Sequence, residues 1–271
     1  MAGAVFLETL RRSWKQILYW GLGLSIYAAY PFLMLPDDVA DMQSFEDMVG
    51  AFDEGMLRAF GISDATMLST PEGLIGYSFF GFLLLIMSIY AVIAGLNVTA
   101  NEEDSGIMNV MLSLPINRWQ IVVEKLLAYT VMLFGICGFM WLGLMAGHQF
   151  ASIELSLSGA DYAEGILNVI PGTLLVMCFT AFVATVLKQR TFAIALAGVF
   201  VAVSYVIDMI GRAANSEVAD AVREISIFSH YNGSEILIAG ISAVSFLVIG
   251  VIALMLAGGA VVAFERREII V

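Results

Sequence analysis

The sequence predicts an all-α polytopic membrane protein with six transmembrane helices, an N-terminal amphipathic helix and a short cytoplasmic amphipathic helix between two of the spans. The membrane class rests on three observations. The 271 residues are 60% hydrophobic and only 13% charged, against about half apolar and a quarter charged in soluble domains. Mean hydropathy is +0.91. The apolar residues gather in runs of roughly twenty or more, the length needed to cross a hydrocarbon core of about 30 Å.

In chain order, residues 1–16 set Val5, Phe6, Leu10 and Trp14 against Glu8, Arg11, Arg12 and Lys15. This mixture predicts an amphipathic helix lying at the membrane surface, and no small-residue cleavage site marks a removable signal peptide. The first span is expected at 17–35, with Tyr19 and Trp20 at one interface and Tyr30 at the other. An insert over 36–72 follows, with nine acids and one base, Arg58. Its stripe of Met42, Phe45, Val49 and Phe52 predicts one or two short helices on the membrane. The second span is expected at 73–99, the third at 121–147, the fourth at 166–187, the fifth at 191–210 and the sixth at 236–264. A second polar insert, 211–234, predicts a short helix near Glu217–Ile225.

The 101–120 stretch joins the second and third spans. Glu102, Glu103 and Asp104 precede Ser105-Gly106, and Ile107, Val110, Met111 and Leu114 then fall on one helical face. Pro115 ends that helix, because proline has no backbone donor and disfavours helix in the residue before it. Orientation follows from the basic residues. With the N-terminus cytoplasmic, Arg11, Arg12, Lys15, Arg118, Lys125, Lys188, Arg190, Arg266 and Arg267 lie inside, and Arg58, Arg212 and Arg223 outside. That bias places both termini and 101–120 in the cytoplasm of a plasma-membrane protein.

The polar residues exclude several functions. A net charge of −12 argues against nucleic acid. Cys137 and Cys178 lack metal-ligand spacing, and His148 and His230 form no H-E-x-x-H motif. Glu102-Glu103 does not extend to the E-E-x-x-x-R of intramembrane prenyl-protein proteases, because Ile107 stands where arginine is needed. No phosphate-binding G-x-x-x-x-G-K-[ST] loop exists, so any ATP must be bound by another chain. Asp208 and Arg212 are one turn apart and predict a pair near the outer end of span five. Asn97 and Thr99 are candidates to line a vestibule at the inner end of span two, and Glu124 and Lys125 read as interface anchors. Gly143 and Gly147, and the stripe Ile194, Gly198 and Ala202, supply small surfaces for helix packing, within one subunit or between two. Asn168, Pro171 and Gly172 are the one candidate for a broken span.

These residues resemble the permease subunits of ABC-2 type ABC transporters. The resemblance rests on Glu102-Glu103-Asp104-Ser105-Gly106, Met111-Leu112-Ser113-Leu114-Pro115-Ile116-Asn117-Arg118, and Lys125. It extends to the elbow, the acidic insert closing on Met56–Gly73, the six spans and Arg266-Arg267. Ile107-Met108 replaces the Thr-Leu of many members and keeps the helix apolar. The resemblance implies a second permease subunit, identical or homologous, and a cytoplasmic ATPase subunit that carries the ATP and Mg. No cofactor is expected in this chain. It also implies that Glu102, Glu103, Asp104, Gly106, Ile107, Met111, Leu114, Pro115 and Arg118 form the ATPase-coupling interface. An exporter of a hydrophobic or amphipathic substrate is then expected. The other readings are a stand-alone secondary transporter or channel, a membrane enzyme, and a non-transporting membrane partner of an ATPase.

Overall fold

A computed structural model describes residues 3–35, 47–62, 65–108, 116–153, 155–187, 189–214 and 216–266. Among them the secondary structure is entirely helical. The elements are α1 (Ala4–Leu33), α2 (Glu54–Ala59), α3 (Pro71–Val98), α4 (Ala100–Asp104), α5 (Arg118–Gln149) and α6 (Gly159–Leu187). They continue with α7 (Arg190–Ala214), α8 (Glu217–Arg223), α9 (Ile227–Tyr231), α10 (Ile236–Ala239) and α11 (Ala243–Glu265). Five of these, α3, α5, α6, α7 and α11, are long and apolar enough to cross a membrane. The 30-residue α1 is of similar length, but its first half holds Glu8, Arg11, Arg12 and Lys15.

Three expectations are corrected here. The elbow and first span, expected as separate elements at 1–16 and 17–35, form the uninterrupted helix α1. No glycine or proline stands at their junction to turn the chain; Pro31 comes only in its last turn. The sixth long helix begins at Ala243 instead of 236. Residues 236–239 make one turn, and Gly240 (φ 71°, ψ −176°) adopts a conformation that side chains disfavour. Ser242 then starts α11 by accepting a hydrogen bond from Ser245 N at 3.4 Å. The candidate break near Pro171 is no break, since α6 runs through it from Gly159 to Leu187.

α6 is the central helix: 78% of its apolar stretch is buried, against 28% for α7 and 17% for α11. It packs on α3, α7 and α11, while α1 lies along α5. Missing side chains allow the closest approaches. A Cβ on Gly143 of α5 would sit 2.3 Å from Ser25 O of α1, and one on Gly95 of α3 would sit 2.5 Å from Met177 O of α6. Gly143 and Gly147 are thus used inside the subunit, Gly147 facing Phe32 and Ala29.

α3 contains one wide π turn, Gly76–Phe80. Such a turn leaves backbone carbonyls in need of other donors. Tyr27 Oη donates to Ser78 O at 2.7 Å and Tyr231 Oη to Phe80 O at 2.8 Å. These two phenols tie α1 and α9 to α3. In the first insert, α2 packs on α7, and Val49, Ile62 and Leu68 form a small core of their own. Phe52 of the expected stripe is exposed, and Met42 and Phe45 lie outside the described residues. In the second insert α8 covers Glu217–Arg223, the helix expected there.

Candidate functional site

The chain turns between α3 and α5 at the end of the bundle where α1 begins and α6 and α11 finish. Val98 is the last residue of α3, and Thr99 (φ −137°, ψ −58°) leaves helical geometry. α4 carries Glu102, Glu103 and Asp104 in its closing residues, and Gly106 reverses the chain at φ 73°. Helix resumes at Ile107 and Met108. Residues 109–115, including Met111, Leu114 and Pro115, lie outside the described residues. Asn117 then caps α5 in a capping box with Gln120.

Lys125 organises this end. It stands seven residues into α5, about 10 Å along the axis, and its side chain is 1% exposed. Its ammonium donates to Asn97 O at 3.2 Å, to Val98 O at 3.0 Å and to the Glu102 carboxylate. The two carbonyls belong to the last turn of α3, where no intrahelical donor remains. Lys125 therefore caps α3 and neutralises Glu102 together. The neighbouring Glu124 reaches the other way: its Oε1 accepts from Gly3 N at 2.7 Å and its Oε2 from Phe6 N at 3.0 Å. A carboxylate on the free N–H groups of a helix start is favoured by hydrogen bonding and by the dipole. Two consecutive residues of α5 thus hold the start of α1 and the end of α3–α4.

The sequence places Glu102, Glu103 and Asp104 near a helix start, where the dipole favours anions. In the structure Glu102 and Glu103 lie in the first turn of the five-residue α4, and Asp104 is its last residue. Lys125 compensates Glu102, while Asp104 is exposed. Glu124 and Lys125, expected as interface anchors, are instead internal ties. A visible signal is Lys125 lying two turns inside a mainly apolar helix, beside Leu126.

Beside the cluster is a cavity of about 500 Å³. Arg12, Gln16, Asn97, Asn101, Glu102 and Ile107 are among its walls. Asn97 lines this cavity, and its Oδ1 accepts from Asn101 Nδ2. Thr99 is fully buried instead and takes no part in the lining. Ile107 is half-buried at the cavity wall and Arg118 half-buried in the first turn of α5. The other candidate surface, Ile194, Gly198 and Ala202, is exposed on α7, and a Cβ on Gly198 would meet nothing within 4 Å.

The predicted ion pair on α7 is present and larger than expected. Asp208 is buried and accepts from Arg212 Nε at 2.9 Å and from Arg223 Nε at 2.7 Å. Among the described residues no group of three or more His, Cys, Asp or Glu is arranged to hold a metal ion.

No curated protein matches the chain. The family model described as ABC-2 family transporter protein matches residues 16–269, nearly the whole sequence. An entirely helical bundle whose long apolar helices cross a membrane is the architecture such a transport component needs, and the chain belongs to the ABC-2 transporter family.

Proposed function

We propose that the chain is the membrane-spanning permease subunit of an ATP-driven ABC-2 transporter, exporting a hydrophobic or amphipathic substrate. Six spans, counting α1, set both termini and the 101–120 stretch in the cytoplasm, as the nine-to-three distribution of basic residues favours. ATP and Mg belong to a separate ATPase subunit. That subunit docks on the surface running from Glu102 to Arg118, burying Ile107, Met111 and Leu114. A second permease subunit packs on the exposed α7 stripe of Ile194, Gly198 and Ala202.

The observation that carries this reading is the pair of ties made by Glu124 and Lys125. A push on the 101–117 loop reaches α4 and, through Lys125, the body of α5; through Glu124 it also reaches α1. Alternating access needs helices whose arrangement is biased by the ATPase state. A loop whose Glu102 is held by buried Lys125, on a helix that also holds the start of α1 through Glu124, transmits such a bias better than a tethered one.

Co-purification with the cognate ATPase tests the docking claim. Met111→Asp and Leu114→Asp each bring a charge to the surface meant to be buried, at several kcal/mol. Both variants should lose the ATPase while keeping the fold of the permease. Retention of the ATPase by both would remove the 101–120 stretch as its dock.

A further inference from the structure

The insert after α7 reads in the sequence as polar, yet its helix turns apolar side chains outward. α8 begins at Glu217, just after α7 ends at Ala214. Ser216 caps it, its Oγ accepting from Ala219 N at 3.3 Å. The backbone keeps turning past Arg223, with Ile225 N donating to Val222 O at 3.2 Å. Val218, Val222 and Ile225 are 75%, 46% and 76% exposed. Their spacing (i, i+4, i+7) sets them within about 60° of one another round the helix. Glu217, Asp220 and Glu224 are exposed as well and form a second stripe, about 130° away.

The remaining side of α8 is fastened to the bundle. Arg223 Nε donates to the buried Asp208 of α7 at 2.7 Å. The stem of Arg223 fills the space where a Cβ on Gly211 of α7 would sit, 2.8 Å from Arg223 Cβ. This tie sets the roll of α8 about its own axis. While it is made, Val218, Val222 and Ile225 cannot turn inward.

The place of this apolar stripe in the fold indicates what covers it. α7 has 25 residues, about 37 Å of helix at 1.5 Å per residue. That exceeds a hydrocarbon core of about 30 Å, so its last turn and α8 stand near the level of the lipid headgroups. The exposed Val203, Val206 and Ile210 run up α7 as one stripe, about 110° round from Ile194, Gly198 and Ala202. The apolar side chains of α8 follow directly on this membrane-crossing helix. Three aliphatic side chains offer far less than the roughly 800 Å² per partner of a stable protein interface. An apolar stripe beside a charged one, at that level, is the makeup of a helix lying in the membrane interface.

We propose that α8 is an interfacial foot resting in the lipid surface. Val218, Val222 and Ile225 enter the boundary between headgroups and acyl chains, and Glu217, Asp220 and Glu224 face water. Arg223 ties the seated helix to Asp208 of α7, so the lipid surface bears on that span through one ion pair. The seat holds for either leaflet and is independent of the coupling reading.

Site-directed spin labelling of the full chain in phosphatidylcholine vesicles tests the seat. Single cysteines replace the six exposed residues of the two stripes in turn; the native Cys137 and Cys178 are buried. Collision is measured with oxygen, which concentrates in lipid, and with a neutral nickel chelate, which stays in water. The ratio of oxygen to nickel collision should be severalfold higher at Val218, Val222 and Ile225 than at Glu217, Asp220 and Glu224, rising and falling with the helical period. High nickel collision at all six positions would put the whole helix in water and overturn the proposal. Low collision with both reagents at Val218, Val222 and Ile225 would also overturn it, because a protein surface such as a second copy then covers them. Arg223→Gln should flatten the contrast by freeing the roll of α8, while Arg212 still pairs Asp208. Full contrast in that variant would overturn the role given to Arg223, and the six single-cysteine chains decide the seat without it.

Discussion

Replacing Glu102 by alanine removes the counter-charge from an ammonium that has almost no contact with solvent. Lys125 is 1% exposed and keeps only the carbonyls of Asn97 and Val98. Stranding one member of a buried pair costs about 3–5 kcal/mol, and the burial of Lys125 puts Glu102→Ala in that range. The reciprocal change is milder. In Lys125→Met the Glu102 side chain, 18% exposed and beside a cavity of about 500 Å³, can turn to water. Its cost is about 2 kcal/mol, chiefly the two uncapped carbonyls of α3. The double variant Lys125→Met/Glu102→Ala removes both charges and strands neither, so it should cost about 2 kcal/mol, the same uncapped carbonyls. The cycle therefore has a coupling energy of about 3 kcal/mol or more, well beyond the additivity expected of independent sites. Equilibrium unfolding in mixed maltoside and dodecyl sulfate micelles, followed by circular dichroism, measures all four corners. A Glu102→Ala cost under about 1 kcal/mol, the value of an exposed pair, or additive single costs, would refute the buried tie.

Three more outcomes are expected of the same structure. Glu124→Ala uncovers two N–H groups at the start of α1 and should destabilise that turn by about 1 kcal/mol; hydrogen exchange at residues 3–7 should quicken severalfold while the centre of α1 is unchanged. Gly143→Ala drives a Cβ against the backbone of Ser25 and should cost about 1–3 kcal/mol, whereas Gly138→Ala, with open space around it, should be neutral or slightly stabilising by thermal unfolding. A single cysteine at Ser113 should react with an impermeant maleimide only from the cytoplasmic side, and one at Ser216 only from outside; the reverse pattern would invert the topology.

Most of the fold is legible because spans announce themselves by length and composition. The second to fifth spans begin and end within a few residues of their expected limits, apart from the start of α6. There the chain turns helical at Gly159, ahead of its first buried apolar run, because Ser158 and Asp161 bond each other at 2.7 Å and set the helix start. The start of the sixth helix is hidden because Ile236–Ala239 is as apolar as the opening turns of α11. Only the backbone at Gly240 separates them, and composition is blind to that. At the candidate site, the acids and Ile107 are visible as a pattern, but the roles of Glu124 and Lys125 are not. A charge near a span end reads as a surface anchor until the carbonyls of Asn97 and Val98 and the N–H groups of Gly3 and Phe6 are seen to need it. Arg58, Arg212 and Arg223 likewise count one by one as topology markers in the sequence. That Arg223 joins Arg212 at Asp208 depends on how α7 and α8 meet, which no local pattern encodes.

The central claim is that an ATPase moves this bundle through the 101–120 stretch. The most direct test is a distance measured in the assembled complex by pulsed electron paramagnetic resonance. Spin labels at Ser105 and Arg266 occupy exposed positions at the same end of the bundle, and the native Cys137 and Cys178 are buried. With a hydrolysis-blocked ATPase, adding ATP and Mg should shift the distance by about 2 Å or more, the scale of helix displacement in switching proteins. The shift should vanish when the permease carries Leu114→Asp. An unchanged distance on ATP binding in the intact complex would contradict the account.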